Sequence, residues 1–258
     1  MKAEIGSCFT HPLGPGLPKQ GGNKKNIVAA VAPHAGYRAS GMNAAHVYKA
    51  IKENGLPDAY IVIGPDHYGV PYRTVMCSDP YVTPLGVCEI HEEITKCLRK
   101  NIPDDPKAHS MEHSIEVQIP FIQYIDPAPK IVPIIMRDQK EENARYVAGI
   151  VRDACDGLNV IVIASSDLSH YIPKKEAELI DSKYLNQVLK KDVNGMYRTL
   201  MENKMSVCGY GPIATATILS EKASPEMLCY SDSFDSLGMD DSAVVGYSSV
   251  IFRTDTTV

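Results

Sequence analysis

Four short stretches of apolar residues are spaced along the first two thirds of the chain. They are Ile27–Ala32 (IVAAVA), Ala59–Ile63 (AYIVI), Lys130–Met136 (KIVPIIM) and Asn159–Ala164 (NVIVIA). Each is rich in β-branched residues and lacks alternation of apolar and polar positions. This pattern is typical of strands buried on both faces of a sheet. Because Pro133 has no amide hydrogen for a neighbouring strand, we expect the third stretch to lie near the sheet edge or to contain a bulge.

Helical patterns separate these predicted strands. They cover Asn43–Asn54, Glu141–Cys155 and Lys174–Lys190, and the second of them carries one apolar stripe. Two further strands are predicted near the C-terminus, at Glu226–Tyr230 and Ala243–Phe252. Strands that alternate with helices indicate an α/β fold, in which a mostly parallel or mixed central sheet is flanked by helices.

The first part of the chain has a different composition from the rest. Residues 1–25 are rich in glycine, proline and lysine, and we predict that they form a loop or a loosely held arm. No internal repeat, block of charge or linker interrupts the chain after them. We therefore predict one α/β domain over residues 26–258, which is long enough to bury a sizeable hydrophobic core.

Composition and charge exclude several classes of protein. The formal net charge is −5, whereas a general nucleic-acid binder relies on an excess of lysine and arginine. No segment approaches the ~20 consecutive apolar residues that span a bilayer, and the first residues lack the apolar stretch of a secretory signal. The chain has seven cysteines, an odd number, so at least one thiol has no partner within the chain. These features predict a cytoplasmic protein with reduced thiols and no role at a membrane.

A histidine follows three of the predicted strands. His34, His67 and His170 come shortly after the first, second and fourth apolar stretch. The carboxyl ends of parallel strands lie at one edge of a sheet, where open α/β folds bind their ligands. Histidine is also the commonest metal ligand and a frequent acid–base group. One such residue is most simply a hydrogen-bonded loop histidine, but three with the same placement favour a metal or catalytic site.

Two aspartates lie beside these histidines. Asp66 directly precedes His67, and Asp167 lies three residues before His170. Each carboxylate can accept the second imidazole N–H of its histidine and so orient the ring. Asp167 can instead cap a following helix, and the sequence leaves both interpretations of this residue open.

Cys208 lies in a turn rather than in an apolar pattern. The segment Val207–Pro212 is rich in glycine and precedes a predicted helix at Ile213–Leu219. A thiol near a helix N-terminus has a lowered pKa and forms the thiolate that binds metals. The alternative is a small buried hydrophobic residue, an interpretation that fits four other cysteines better: Cys77, Cys97, Cys155 and Cys229.

His109 and His113 have the spacing of two ligands on one helical face. Pro106 and Ser110 indicate, however, that His109 precedes the helix. His113 is therefore the better candidate for a site residue, although an ordinary helical histidine is the simpler interpretation. The sequence contains neither the GxxxxGK[ST] motif of a phosphate-binding loop nor the GxSxG motif of a serine hydrolase.

With these residues, the chain resembles the Memo family. The matching segments follow one another in order and cover roughly residues 27–252. They are Pro33-His34-Ala35-Gly36-Tyr37 with Ser40-Gly41, Gly64-Pro65-Asp66-His67, Thr83-Pro84-Leu85-Gly86, Glu112-His113-Ser114-Ile115-Glu116-Val117-Gln118, Ser165-Ser166-Asp167-Leu168-Ser169-His170 and Cys208-Gly209-Tyr210-Gly211-Pro212-Ile213.

The resemblance implies a fold and a set of site residues. Members of the family are similar to class III extradiol dioxygenases, which are α/β enzymes that use non-haem iron. By this similarity His34 and His67 are metal ligands, His170 is the acid–base residue and His113 is a further pocket histidine. Cys208 lies where the dioxygenases are expected to place a carboxylate. A thiolate there softens the site and shifts its preference toward Cu(I) or Zn(II). Together with the iron of the dioxygenases, the resemblance implies one transition metal ion, with Fe(II) or copper expected rather than zinc.

Two functions follow from the resemblance. One is a metal-dependent oxidoreductase that acts on a small molecule or a peptide in the pocket. The other is a non-catalytic peptide-binding or adaptor protein that retains a vestigial dioxygenase-like pocket. In microbes, members of the family tend to be encoded beside a radical-SAM protein, which implies a shared modification pathway.

Overall fold

A mixed sheet of ten strands forms the centre of the computed structural model, which describes residues 1–238 and 240–255. The strand order is β4-β5-β6-β2-β7-β1-β10-β8, with β3 paired to β6 and β9 paired to β10. The strands are β1 (Ile27–Ala32), β2 (Ala59–Pro65), β3 (Thr74–Met76), β4 (Tyr81–Thr83), β5 (Gly86–Ile90), β6 (Lys130–Met136), β7 (Val160–Ser165), β8 (His170–Ile172), β9 (Ala223–Asp232) and β10 (Val244–Thr254).

Helices cover both faces of the sheet. They are α1 (Lys2–Thr10), α2 (Tyr37–Asn54), α3 (Glu92–Leu98), α4 (Pro106–His109), α5 (His113–Glu116), α6 (Gln118–Ile125), α7 (Glu141–Ala154), α8 (Lys174–Lys190), α9 (Val193–Glu202), α10 (Tyr210–Leu219) and α11 (Ser233–Leu237). Side chains of α1, α2, α5 and α6 form one apolar core with the sheet. Side chains of α3, α7, α8, α9 and α10 form a second core on the opposite face. The predicted α/β fold with helices flanking a mixed sheet is confirmed.

Burial on both faces explains the apolar strand sequences. In β2, Tyr60 and Val62 belong to one core, while Ile61 and Ile63 belong to the other. Strands β5, β6, β2, β7 and β1 are parallel to their neighbours in that order, whereas β10 pairs with β1 in the antiparallel direction. The parallel strands therefore end together at one edge of the sheet.

The central strands agree closely with the sequence prediction. β1 and β6 have the predicted bounds, β7 begins one residue later than predicted, and β2 continues two residues further to Pro65. Pro133 lies where β6 changes partners on one side, because β5 pairs with Lys130 and Ile131 whereas β3 pairs from Ile134 onward. An amide hydrogen is therefore not required at Pro133, as expected for a strand near the edge.

The prediction of a loosely held arm over residues 1–25 was wrong for its first part. Lys2–Thr10 forms α1, and Ile5, Cys8 and Phe9 are buried. The ring of Phe9 stacks on Tyr124 at 5.2 Å between ring centroids. Only three buried residues anchor this helix, which is too short a pattern to detect from hydrophobic spacing.

The predicted domain of residues 26–258 extends past the described part of the chain, because residues 256–258 and Met239 lie outside it. Among the described helices, none combines the length and the apolar character that crossing a membrane requires.

Candidate metal centre

The topology brings three donor side chains to one edge of the sheet. His34 follows β1, His67 follows β2, and Cys208 lies just before α10. One donor atom from each of the three residues lies within 4.8 Å of the other two. Gly209 allows the Cys208 turn to approach the end of β7, since a Cβ atom there would lie 2.5 Å from the carbonyl oxygen of Ser165. The predicted cluster of His34, His67 and Cys208 is therefore assembled in the structure.

The hydrogen bonds of His34 fix which of its nitrogens faces the cluster. Its Nδ1 lies 2.9 Å from Ser165 Oγ, and this hydroxyl donates its own hydrogen to the carbonyl oxygen of Ser114 at 2.5 Å. Ser165 must therefore accept a hydrogen from Nδ1, which leaves Nε2 of the neutral ring with a lone pair. Burial lowers the pKa of His34 to about 4 and so favours this neutral form. Nε2 lies 3.3 Å from Cys208 Sγ and can act as a metal ligand.

Glu112 orients His67, a role that the sequence analysis did not predict. One carboxylate oxygen lies 2.8 Å from His67 Nδ1, and the other accepts the backbone N–H of His67 at 2.8 Å. Burial alone would raise the pKa of Glu112, but hydrogen bonds from His67 and Ser114 lower it to about 2. The ionised carboxylate holds the proton on His67 Nδ1, so Nε2 is the nitrogen available to a metal.

The predicted partner of His67, Asp66, has a different role. Its carboxylate accepts the backbone N–H groups of Tyr68, Gly69 and Val70 at distances between 2.8 and 3.0 Å. Asp66 therefore stabilises the turn that carries His67 but does not hold the ring. A residue adjacent in sequence was predicted, whereas the actual partner lies 45 residues away.

Asp167 adopts neither of the two roles considered for it. Its Oδ1 accepts the backbone N–H of His34 at 2.8 Å and that of Ala35 at 3.3 Å. Its own N–H donates to Cys208 Sγ at 3.2 Å. Asp167 therefore connects the ends of β1 and β7 beside the cluster, and it does not cap a helix or hold the ring of His170.

Cys208 is half-buried, and its surroundings change its expected acidity. We predicted a lowered pKa from its place before a helix, but burial and the nearby charge of Asp167 raise the pKa of this thiol. The sulfur lies 3.3 Å from His34 Nε2 and 3.6 Å from the carbonyl oxygen of Asp167, and either can accept the thiol hydrogen. A thiolate in these surroundings needs a compensating positive charge, and the neutral ring of His34 beside it provides none. A bound metal cation supplies this positive charge, so the donor set fits a metal ion.

Two further histidines border the cluster. A donor atom of His170 lies within 4.8 Å of donor atoms of Cys208 and Asp167. Among the described residues, its buried Nδ1 has no hydrogen-bond partner. The His113 ring lies 4.5 Å from that of His67 and 5.5 Å from that of His34, measured between centroids. The side chain of His113 is 42% exposed, so it lies on the open side of the site.

The remaining sequence candidates lie elsewhere. His109 is the last residue of α4. Its buried ring contacts the hydroxyl of Tyr81 at 2.9 Å and the carbonyl oxygen of Val75 at 3.3 Å. It has a structural role, and it lies before α5, the helix that His113 begins, as predicted. Cys77 and Cys155 are buried as predicted for packing residues, and Cys229 is half-buried. Cys97 is exposed, so the packing interpretation was wrong for that residue.

Comparison with known proteins supports the resemblance to the Memo family over nearly the whole chain. A family model described as "Memo-like protein" matches residues 1–251. A MEMO1 family protein of Sulfurisphaera tokodaii is 40% identical, and the match covers 98% of this chain and 93% of that protein. A MEMO1 family protein of Methanopyrus kandleri is also 40% identical with the same coverage. An uncharacterized protein of Escherichia coli K12 has a similar fold, with a TM-score of 0.56, 12% identity, and coverage of 87% of this chain and 99% of that one.

Proposed function

This chain belongs to the Memo-like protein family, and we propose that it is a metal-dependent oxidoreductase that binds one metal ion through His34, His67 and Cys208. The observation that carries the proposal is the convergence of these three donors. Each imidazole has its Nδ1 occupied by a partner, so Nε2 of each ring is the nitrogen left to bind a metal. This arrangement is the one by which proteins prepare histidines for metal binding.

The donor set is compatible with a redox-active metal. Two imidazoles and one thiolate are softer than the two histidines and one carboxylate of non-haem iron enzymes. Copper and iron both suit this set, and copper in its reduced state is favoured by the thiolate. Bound here, such an ion would supply one-electron exchange and an open coordination position for a substrate.

The residues around the cluster provide proton transfer and orientation. Glu112 holds the ring of His67, and Asp167 holds the backbone of His34, so both ligands are preorganised. His170 is the group placed to move protons, because its buried Nδ1 has no partner among the described residues and can accept or release a proton. His113 lies on the open side, where it can contact a substrate that enters the pocket.

Metal analysis of protein purified without oxygen tests this proposal. We expect about one iron or copper ion per wild-type chain, and less than a tenth of that in Cys208→Ser and His67→Ala, because losing a ligand weakens binding strongly. Cys97→Ser and His46→Ala are matched controls, since Cys97 is exposed and His46 contacts the carbonyl oxygen of Leu13 instead of the cluster. Metal contents well below one ion per chain in every variant, wild type included, would contradict the proposal.

A second measurement separates an enzyme from a binding protein. The loaded protein is reduced with ascorbate and then exposed to air while the metal spectrum is recorded. We expect repeated reduction and reoxidation without loss of the ion. A bound ion that does not change its oxidation state would contradict the oxidoreductase and leave the peptide-binding alternative. The expected link to a radical-SAM protein stays a prediction.

A further inference from the structure

Asp181 is a buried carboxylate outside the metal cluster. It lies in the middle of α8, and none of its surface is exposed. Its Oδ1 accepts the hydroxyl of Ser169 at 2.6 Å and the backbone N–H of Ser169 at 3.2 Å. Its Oδ2 accepts the hydroxyl of Tyr230 at 3.0 Å. Within residues 1–238 and 240–255, no lysine, arginine or histidine forms an ion pair with it, and the nearest cationic group that acts on its charge is His170.

Ser169 belongs to the loop that approaches the metal cluster. Two residues earlier, the backbone N–H of Asp167 donates to Cys208 Sγ at 3.2 Å. The next residue is His170, which has a donor atom within 4.8 Å of that sulfur. Asp181 therefore contacts Ser169, which lies two residues after Asp167 and directly before His170.

The same loop is also hydrogen-bonded to β10. Gly246 donates its N–H to the carbonyl oxygen of Ser169 at 2.9 Å and accepts the N–H of Leu168 at 2.8 Å. A Cβ atom at Gly246 would lie 2.1 Å from Asp181 Oδ2, so carboxylate and strand are in close contact. The loop is thus fixed between α8 and β10.

The backbone after the loop needs such support. Tyr171 has a φ angle of +57°, a left-handed conformation that tyrosine rarely adopts. The side chain of Tyr171 is exposed, so its own packing does not explain this conformation. Strained conformations of this kind persist when the surrounding contacts determine them. The backbone N–H of His170 donates to Ser206 Oγ at 2.8 Å, and β8 pairs with β10 on both sides of Tyr171. The contacts of Ser169 with Asp181 and Gly246 support the same segment from the preceding loop.

We propose that Asp181 is a positioning residue for the metal centre. Through Ser169 it fixes the loop from Ser166 to His170, so that Asp167 N–H donates to the Cys208 sulfur and His170 lies beside it. Hydrogen bonds to a metal-bound thiolate tune the electronic properties of the metal. This inference rests on the proposed function, because it concerns the same cluster.

Cobalt(II) is the probe, since its bond to a thiolate gives an absorption band in the near ultraviolet. We expect Asp181→Asn and Ser169→Ala to shift this band and to weaken cobalt binding about tenfold or more. Tyr230→Phe retains the bond between Asp181 and Ser169 and is expected to leave the band unchanged. Asp126→Asn is the matched control, because Asp126 is also buried and accepts a tyrosine hydroxyl, that of Tyr60 at 3.1 Å, at the other end of β2.

A measurement without metal separates this inference from the proposed function. In metal-free protein, Asp181→Asn and Ser169→Ala are expected to shift the NMR signals of the His170 ring, whereas Asp126→Asn is not. If wild-type protein shows no thiolate band with cobalt, the proposed function fails, and the His170 signals still test the positioning role. If Asp181→Asn and Ser169→Ala leave the His170 signals as they are in wild type, the inference is overturned.

Discussion

Glu112 shows how a single side chain prepares the candidate site. Its two carboxylate oxygens accept hydrogens from the ring and the backbone of His67, and one of them also accepts the N–H of Ser114. An amide in its place offers only one acceptor oxygen to these three donors. The histidine would then be less firmly oriented for metal binding.

We therefore expect Glu112→Gln to weaken metal binding between about tenfold and a hundredfold, as is typical when the partner of a metal-binding histidine is changed. Glu116→Gln serves as the control, because Glu116 lies one helical turn away and is exposed. Competition with a chelator of known affinity measures both variants. Equal metal affinity of Glu112→Gln and wild type would show that Glu112 does not prepare the ligand.

His109 links the stability of the fold to pH. Burial lowers its pKa from 6.5 to about 4, so the folded protein keeps the ring neutral where the unfolded chain binds a proton. The contribution of the neutral His109 ring to the free energy of unfolding is therefore complete above pH 6.5. It is lost as the pH falls through about 4. At full loss it corresponds to about 3 kcal/mol.

We expect His109→Gln to lose less stability in acid than wild type does. Urea unfolding at about pH 7.5 and about pH 4.5 measures the difference, and the variant should lose about 1–3 kcal/mol less between the two. Parallel losses in both proteins would mean that His109 does not carry this pH dependence. Comparing each protein with itself at the two pH values corrects for any constant effect of the substitution.

Residue roles were predicted well where the strand pattern places a side chain and poorly where a partner is distant. His34, His67 and Cys208 were placed together because strand ends share one sheet edge. The partners of the two histidines were assigned by adjacency, which gave Asp66 where the structure has Glu112. Sequence spacing does not reveal a contact between residues on different elements, so that part required the fold.

At the scale of elements, buried strands were the easiest to predict and the N-terminal helix the hardest. β1 is apolar throughout and β6 is apolar after Lys130, so the pattern identifies both strands. α1 buries only one narrow face and lies among polar and glycine residues. Its helical structure depends on packing against α2 and α6, which cannot be recognised from nine residues alone.

The packing of α1 has a measurable consequence. Phe9 is fully buried and contacts the rings of Phe121 and Tyr124. We expect Phe9→Ala to lower the free energy of unfolding by about 3–5 kcal/mol, because it leaves a cavity in the core. The control Leu17→Ala removes an exposed side chain and should change it by less than about 0.5 kcal/mol. A loss below about 1 kcal/mol for Phe9→Ala, seen by denaturant unfolding, would contradict a helix that belongs to the core.

At the scale of the whole molecule, the order of strands explains why distant residues form one site. β7 lies between β2 and β1, so the segments after all three strands meet. The segment after β1 supplies His34, the segment after β2 supplies His67, and the segment after β7 carries the hydrogen bond to Cys208. The turn before α10 then adds the sulfur ligand. This convergence is a property of the fold and was predictable from the alternation of strands and helices.

X-ray absorption by the bound metal identifies the atoms around the ion. It therefore tests directly whether His34, His67 and Cys208 are the ligands. We expect one sulfur neighbour and two imidazole nitrogens around the ion in wild-type protein. We further expect the sulfur neighbour to be absent in Cys208→Ser and retained in Cys97→Ser. A metal bound to the wild-type protein without a sulfur neighbour would contradict the account.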